Sequence, residues 1–156
     1  MSRTERIWNG QVKSEWVDYN NHMNDAAYAE VFSKALDEMI KKIGLDDAFR
    51  KKQQYTIYTL ETHVLYRKEA LLDEKLDVFV QVLDKDEKRL HVWLEMKNDG
   101  QELLAVSEQM IMGMDQTAGR PAPFPPSIVE GIAELPHAEA GVLPEMAGRS
   151  IGIKRK

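Results

Sequence analysis

At 156 residues and 17.9 kDa the chain has the length of one compact domain with room for a sizeable core. It contains no cysteine, which excludes disulfides, a thiolate nucleophile and Cys-ligated zinc and fits a reducing compartment, with the cytoplasm as the default location. A net charge of −5 argues against the broad basic surface that nucleic acid requires, and no run reaches the roughly eighteen apolar residues of a membrane span, so neither partner is expected.

Met1 to Arg6 leads into no apolar signal core, and Ile7 to Val12 reads as a short strand. Ahead of the next element, Asp18, Asn20, Asn21, His22 and Asn24 supply one carboxylate, one imidazole and three amides. Apolar residues at Tyr28, Val31, Phe32, Ala35, Leu36, Met39, Ile40 and Ile43 then follow helical spacing without Pro or Gly. This predicts a helix over Asn24 to Ile43, capped by Asn24 and ended by Gly44.

Tyr55 to Tyr66, Lys75 to Leu83, Arg89 to Lys97 and Glu102 to Met114 are β-rich, with Asp84 to Lys88 and Asn98 to Gly100 as hairpin loops. The order strand, helix, four strands predicts an α+β domain, residues 1–135, with a curled antiparallel sheet of five or six strands around one long helix. Prolines from Pro121 to Pro126 mark a surface lap, Ser127 to Glu134 a short helix, and residues 136–156 a tail that packs on the domain or on a neighbouring subunit. The basic end Lys154-Arg155-Lys156 reads as a solvated terminus before a phosphate clamp.

A helix start carries free backbone N–H groups and the positive end of the helix dipole, so it can hold developing negative charge beside a base or nucleophile. Asp18 is the acidic residue of this stretch, preceded by Trp16 and Val17; the competing reading makes it the first residue of an Asx turn. His22 is either an acid or base, or a structural residue that orients the loop by bonding a carbonyl. Asn24 has a plain role as a cap.

Asp18, then Asn21-His22-Met23-Asn24, then Tyr28, resembles the Asp-x-x-Gly-His-x-Asn-Asn-x-x-Tyr motif of hot-dog-fold acyl-CoA thioesterases, in the 4-hydroxybenzoyl-CoA thioesterase-like branch. The likeness runs from about Ile7 to about Ile132 and includes Gly119-Arg120 and Pro123-Phe124-Pro125. Asn21 stands where Gly is usual, a mild change because Asn tolerates a left-handed backbone. Asp25 replaces a common second Asn and places a carboxylate near the proposed oxyanion. The resemblance implies a hot-dog fold, hydrolysis of an acyl-CoA thioester without metal or cofactor, and an active site between the subunits of a homodimer or higher homo-oligomer. It further implies Asp18 as nucleophile or general base, the Asp25 N–H as oxyanion donor, and His22 and Asn24 as residues that fix the loop. The wording from Trp16 to Tyr28, with Ala147 to Ile153, is most similar to thioesterases of carnitine breakdown, which implies betainyl-CoA as substrate.

A trimethylammonium group needs aromatic faces and a carboxylate, and Trp16, Tyr19, Tyr66, Trp93 and Glu108 are the candidate acyl-pocket residues. Glu108 interrupts the apolar face Leu104, Val106, Met110, Met112, Met114, so it either meets a cation or polar partner, or turns to water at a bulge or edge. Glu61 and His63 either pair, cross a subunit interface or line the pocket. There is no Gly-x-Ser-x-Gly, no phosphate-binding Gly-rich loop and no helical His pair for a metal. Another short or aromatic acyl-CoA, an acyl-carrier protein, or a non-catalytic acyl-CoA-binding role remain as alternatives. A hot-dog dehydratase is disfavoured because its Asn-Pro-Leu-His type segment is missing.

Overall fold

The computed structural model describes residues 4–155; Met1 to Arg3 and Lys156, which belong to the segments read above for a leader and a basic end, lie outside the described residues. Strand β1 (Glu5–Gln11) precedes a single 3₁₀ turn (Ser14–Trp16) and the long helix α1 (Asp25–Lys42). A second helix α2 (Asp47–Gln53) leads into β2 (Tyr55–Tyr66), β3 (Lys75–Lys85), β4 (Arg89–Asn98) and β5 (Leu103–Asp115). The short β6 (Arg120–Pro121) and helix α3 (Pro126–Ala133) follow. The sheet is six-stranded and antiparallel in the order β1-β3-β4-β5-β2, with β6 on the end of β5.

Helix α1 forms as its spacing dictates: Ala27, Tyr28, Val31, Phe32, Ala35, Leu36, Met39 and Ile40 are buried on one side. Its C-terminus closes as expected at Gly44, whose φ of 106° a side chain would strain. The Gly44 N–H bonds the Lys41 carbonyl and the Leu45 N–H the Ile40 carbonyl, satisfying the last turn. Helix α2 escapes the sequence pattern because none of its residues is buried; Asp46 specifies it locally by accepting from the Phe49 N–H at 2.9 Å. Helix α3 packs on the end of α1 through Ile128 and Ile132, and a Cβ at Gly131 would lie 2.1 Å from the Ile43 carbonyl oxygen.

Cross-strand partners share a sheet face, which separates two cores. The face toward α1 carries Leu76, Val78, Val80, Leu90, Val92, Leu94 and Ile111 in the main core. The opposite, outer face carries Leu83, Trp93 and Val106, covered by Ala138, Met146 and Ala147 of the tail. At the far edge of the sheet, β2 has no neighbour beyond it among the described residues and leaves Tyr58 and Leu60 half exposed, with a bulge between Thr59 and Glu61.

Candidate active site at the start of the long helix

Val17 and Met23 form an isolated antiparallel bridge, so residues 18–22 make a tight loop one residue ahead of the helix cap. The Asp18 N–H donates to the His22 carbonyl at 3.0 Å and the Asn21 N–H to the Asp18 carbonyl at 3.0 Å, with Asn21 in the left-handed region at φ 61°. Asp18 Oδ1 accepts from the Asn20 N–H at 2.8 Å and from the His22 N–H at 3.3 Å. The Asx-turn geometry is therefore present, and it engages Oδ1 alone. Among the described residues Oδ2 has no hydrogen-bond partner, and the side chain is exposed.

Asn24 is the cap: its Oδ1 accepts from the Ala27 N–H at 2.9 Å, and its Nδ2 and backbone N–H donate to the Trp16 carbonyl at 2.7 and 2.9 Å. These bonds hold the loop to the helix. The first helical N–H groups, of Asp25 and Ala26, have no intrahelical acceptor and point out of the helix end. His22 pairs with Leu71 through a backbone bridge, and its Nδ1 lies 3.2 Å from Glu69 Oε2, so its side-chain partner is a carboxylate instead of the expected carbonyl.

A cavity of about 290 Å³ opens beside this helix end, lined by Met23, Asp25, Tyr28, Tyr66, Arg67, Lys68 and Glu69. Tyr66 meets Tyr28 edge to face, with ring centroids 5.2 Å apart, and its hydroxyl donates to the Asp25 carbonyl at 3.3 Å. Burial, then the nearby Asp25 carboxylate, raises the Tyr66 hydroxyl above its ordinary pKa. The Tyr28 hydroxyl, raised chiefly by burial, accepts from the Ala70 N–H at 3.1 Å and donates to the Lys68 carbonyl at 3.3 Å. Tyr28 thus fixes the segment from Arg67 to Leu71 that carries the cavity's charged wall. The Asp25 side chain is exposed and belongs to the lining.

Of the candidate acyl-pocket residues, the structure brings only Tyr66 to this cavity. Trp16 is a core residue, 5 % exposed, and its ring already faces Lys13 Nζ at 5.1 Å and Lys34 Nζ at 5.4 Å. Tyr19 projects from the loop into solvent at 96 % exposure and forms no wall in the single chain. Trp93 is buried on the outer sheet face beneath the tail, with its Nε1–H on Glu95 at 3.1 Å. Glu108 lies on the same outer face, where Oε2 is 2.6 Å from His91 Nε2 and Oε1 accepts the Gly148 N–H at 2.8 Å. It therefore meets polar partners, as one reading expected, but on the side of the sheet turned away from α1. Alternation along a strand cannot tell which of two covered faces meets the helix, and the structure sets Trp93 and Glu108 apart from the helix-end cavity.

Glu61 and His63 line a second cavity on that outer face, about 300 Å³, together with His91, Glu108 and Arg149. The cavity at the helix end also has lining residues that the amino-acid pattern does not mark as candidates, namely Met23, Arg67, Lys68 and Glu69. Arg67, Lys68 and Glu69 reach the helix end only through folding of the strand that precedes them, and no local spacing singles them out. Among the described residues no group of three or more His, Asp or Glu is arranged to hold a metal ion, and no helix is long and apolar enough to cross a membrane.

A family model described as "Thioesterase-like superfamily" matches residues 12–132. The chain is 36 % identical to a Pseudomonas aeruginosa betainyl-CoA thioesterase, over 98 % of each chain. It is 33 % identical to the Rhizobium meliloti protein named L-carnitine dehydrogenase/betainyl-CoA thioesterase, over 96 % of this chain but only 30 % of that longer protein. A Staphylococcus aureus structure solved in complex with CoA superposes with a TM-score of 0.89 at 33 % identity, covering 99 % of this chain and 98 % of that one.

Proposed function

Because the chain belongs to the thioesterase-like superfamily and has its hot-dog fold, we propose that it hydrolyses betainyl-CoA to betaine and coenzyme A, with the chemistry at the start of α1. The observation that carries this reading is the start of α1, where the free N–H groups of Asp25 and Ala26 adjoin a cavity lined by Asp25, and the loop that carries Asp18, with one unpartnered oxygen, is bonded to the same helix cap. A thioester carbonyl oxygen turned toward those N–H groups gains an oxyanion donor as its carbon becomes tetrahedral, and the helix dipole adds to the stabilisation. Asp18 Oδ2 then either attacks the carbonyl carbon, forming a mixed anhydride and releasing the CoA thiolate, or takes a proton from the attacking water. Both routes use the same geometry and consume only water and the thioester.

The cavity also suits the cationic acyl group. Tyr66 offers a half-exposed ring, and Asp25 and Glu69 offer carboxylates for a quaternary ammonium, beside Arg67 and beside Lys68, which is held by Glu102. This reading moves the cation subsite from the outer-face residues to Tyr66, Asp25 and Glu69. A second copy completes the site by pairing along β2, whose open edge with exposed Tyr58 and Leu60 would otherwise invite uncontrolled association.

The test is steady-state hydrolysis of betainyl-, acetyl- and benzoyl-CoA by the wild type and by Tyr66→Leu. Betainyl-CoA is expected to have the highest kcat/KM, and Tyr66→Leu to raise KM for it several-fold more than for acetyl-CoA. A preference for benzoyl-CoA, or equal effects of the substitution on both substrates, would overturn the assignment.

A further inference from the structure

After α3 the chain crosses the outer face of its own sheet strand by strand. The Val82 N–H on β3 bonds the Pro136 carbonyl and the Ala138 N–H bonds the Val82 carbonyl, each at 2.8 Å. Ala138, Met146 and Ala147 then cover Leu83, Trp93 and Val106 of β3, β4 and β5. The Gly148 N–H is held by Glu108 on β5, and Arg149 lines the cavity with Glu61 and His63 on β2. The route thus ends over the open edge of the sheet. Beyond it Ile151 and Ile153 alternate with small or polar residues and stand 94 % and 80 % exposed, an unusual state for two isoleucines.

From these observations we infer that Ser150 to Arg155 form an arm that lies across the outer sheet face of a second copy. The inference rests on the β2-to-β2 pairing proposed above, and it adds a contact that the pairing alone does not require. The paired strand itself sets the target. Antiparallel pairing about the middle of Tyr55–Tyr66 places His63 opposite Tyr58 of the second copy, and both side chains project to the outer face, since His63 pairs with Glu108 and Tyr58 with Met112.

Neighbouring strands lie about 4.8 Å apart, so from Glu108 the second copy's β2 is roughly 10 Å away and its β5 roughly 14 Å. An extended chain advances about 3.3 Å per residue, so from the anchored Gly148 it reaches roughly 10 Å at Ile151 and roughly 16 Å at Ile153. Ile151 therefore falls on the half-exposed Tyr58 and Ile153 on the partly buried Met112 of the second copy. Overall charge favours contact between the arm and a second copy, without choosing the place. The last eight residues, Arg149 to Lys156, hold four positive charges and no acid, leaving −9 on the rest of a chain whose total is −5.

The absence of native cysteine makes the test direct. Single variants Ile151→Cys and Tyr58→Cys, co-expressed in one cell and oxidised after purification, are expected to yield a disulfide-linked dimer joining the two variants. Neither variant alone is expected to yield more than a trace, because the two-fold axis brings unlike positions together. No link above the single-variant background overturns the proposal, and so does a double variant whose disulfide closes within one chain. Removal of residues 150–156 is expected to raise the dimer dissociation constant at least tenfold by analytical ultracentrifugation, and an unchanged constant would refute an energetic role for the arm. Cross-linking reads geometry and not turnover, so loss of the betainyl-CoA assignment would leave this result standing.

Discussion

Replacing Asn24 tests how the loop before α1 is held. The side chain makes two bonds: Oδ1 caps the helix at the Ala27 N–H, 2.9 Å away, and Nδ2 donates to the Trp16 carbonyl at 2.7 Å. Loss of an Asn cap to alanine costs about 1 kcal/mol, and a neutral, partly buried hydrogen bond adds about 1 kcal/mol, so Asn24→Ala should destabilise the fold by about 2 kcal/mol. With a urea slope near 2 kcal/mol per molar, the unfolding midpoint should fall by about 1 M. Asn24→Ser keeps an oxygen for the cap and loses only the bond to Trp16, so about half the shift is expected. Since the same two bonds position Asp18 against the helix end, kcat should fall about 100-fold in Asn24→Ala even under conditions where the protein is fully folded. Equal destabilisation by serine and alanine, or an alanine variant within about 0.5 kcal/mol of wild type, would refute the capping argument.

Asp18→Asn should lower kcat on betainyl-CoA by a factor of about 1000 or more with the melting temperature little changed, because Oδ1 can keep its turn bonds while the reactive oxygen is lost. Single-turnover hydrolysis in ¹⁸O-water followed by peptide mass spectrometry should label Asp18 when an anhydride forms and water opens it at the Asp18 carboxyl carbon; label in betaine alone is expected both for water activation and for opening at the acyl carbon. Gly131→Ala should destabilise by about 1 to 3 kcal/mol despite alanine's better helix propensity, since its Cβ would sit 2.1 Å from the Ile43 carbonyl oxygen; a stabilised variant by urea unfolding would show that α3 can move away. In the β3–β4 turn, the Arg89 side chain and then the Lys88 N–H hold the Asp86 carboxyl down to about 2. A depressed carboxylate stabilises the fold above its unfolded pKa and loses that contribution as pH falls through the folded value. The melting-temperature difference between wild type and Asp86→Asn should therefore be present at pH 6 and shrink between about pH 4 and pH 2; a constant difference across that window would refute the linkage.

Much of the architecture was legible because it is written in local periodicity. Eight apolar residues at helical spacing define α1, Asn24 and Gly44 bound it, and alternation marks β3 and β4, since these patterns depend only on neighbours along the chain. The polar loop of Asp18, His22 and Asn24 was legible for the same reason, as it is one continuous segment. Helix α2 was not, because a seven-residue helix that sets only Phe49 against the core carries no apolar stripe to read. Tyr66 is marked in the sequence only as one aromatic among several and Glu69 not at all, because both join the helix end from some forty residues further along the chain.

The sequence by itself determined which side chains share a face and where the central helix begins and ends. Only the tertiary structure decided which face meets the helix, because the C-terminal tail covers the other side with Ala138, Met146 and Ala147 and makes both faces of the central strands apolar. That second covering turned Trp93 into a core residue and Glu108 into the anchor of Gly148, since alternation specifies two sides of a sheet without specifying what lies over each.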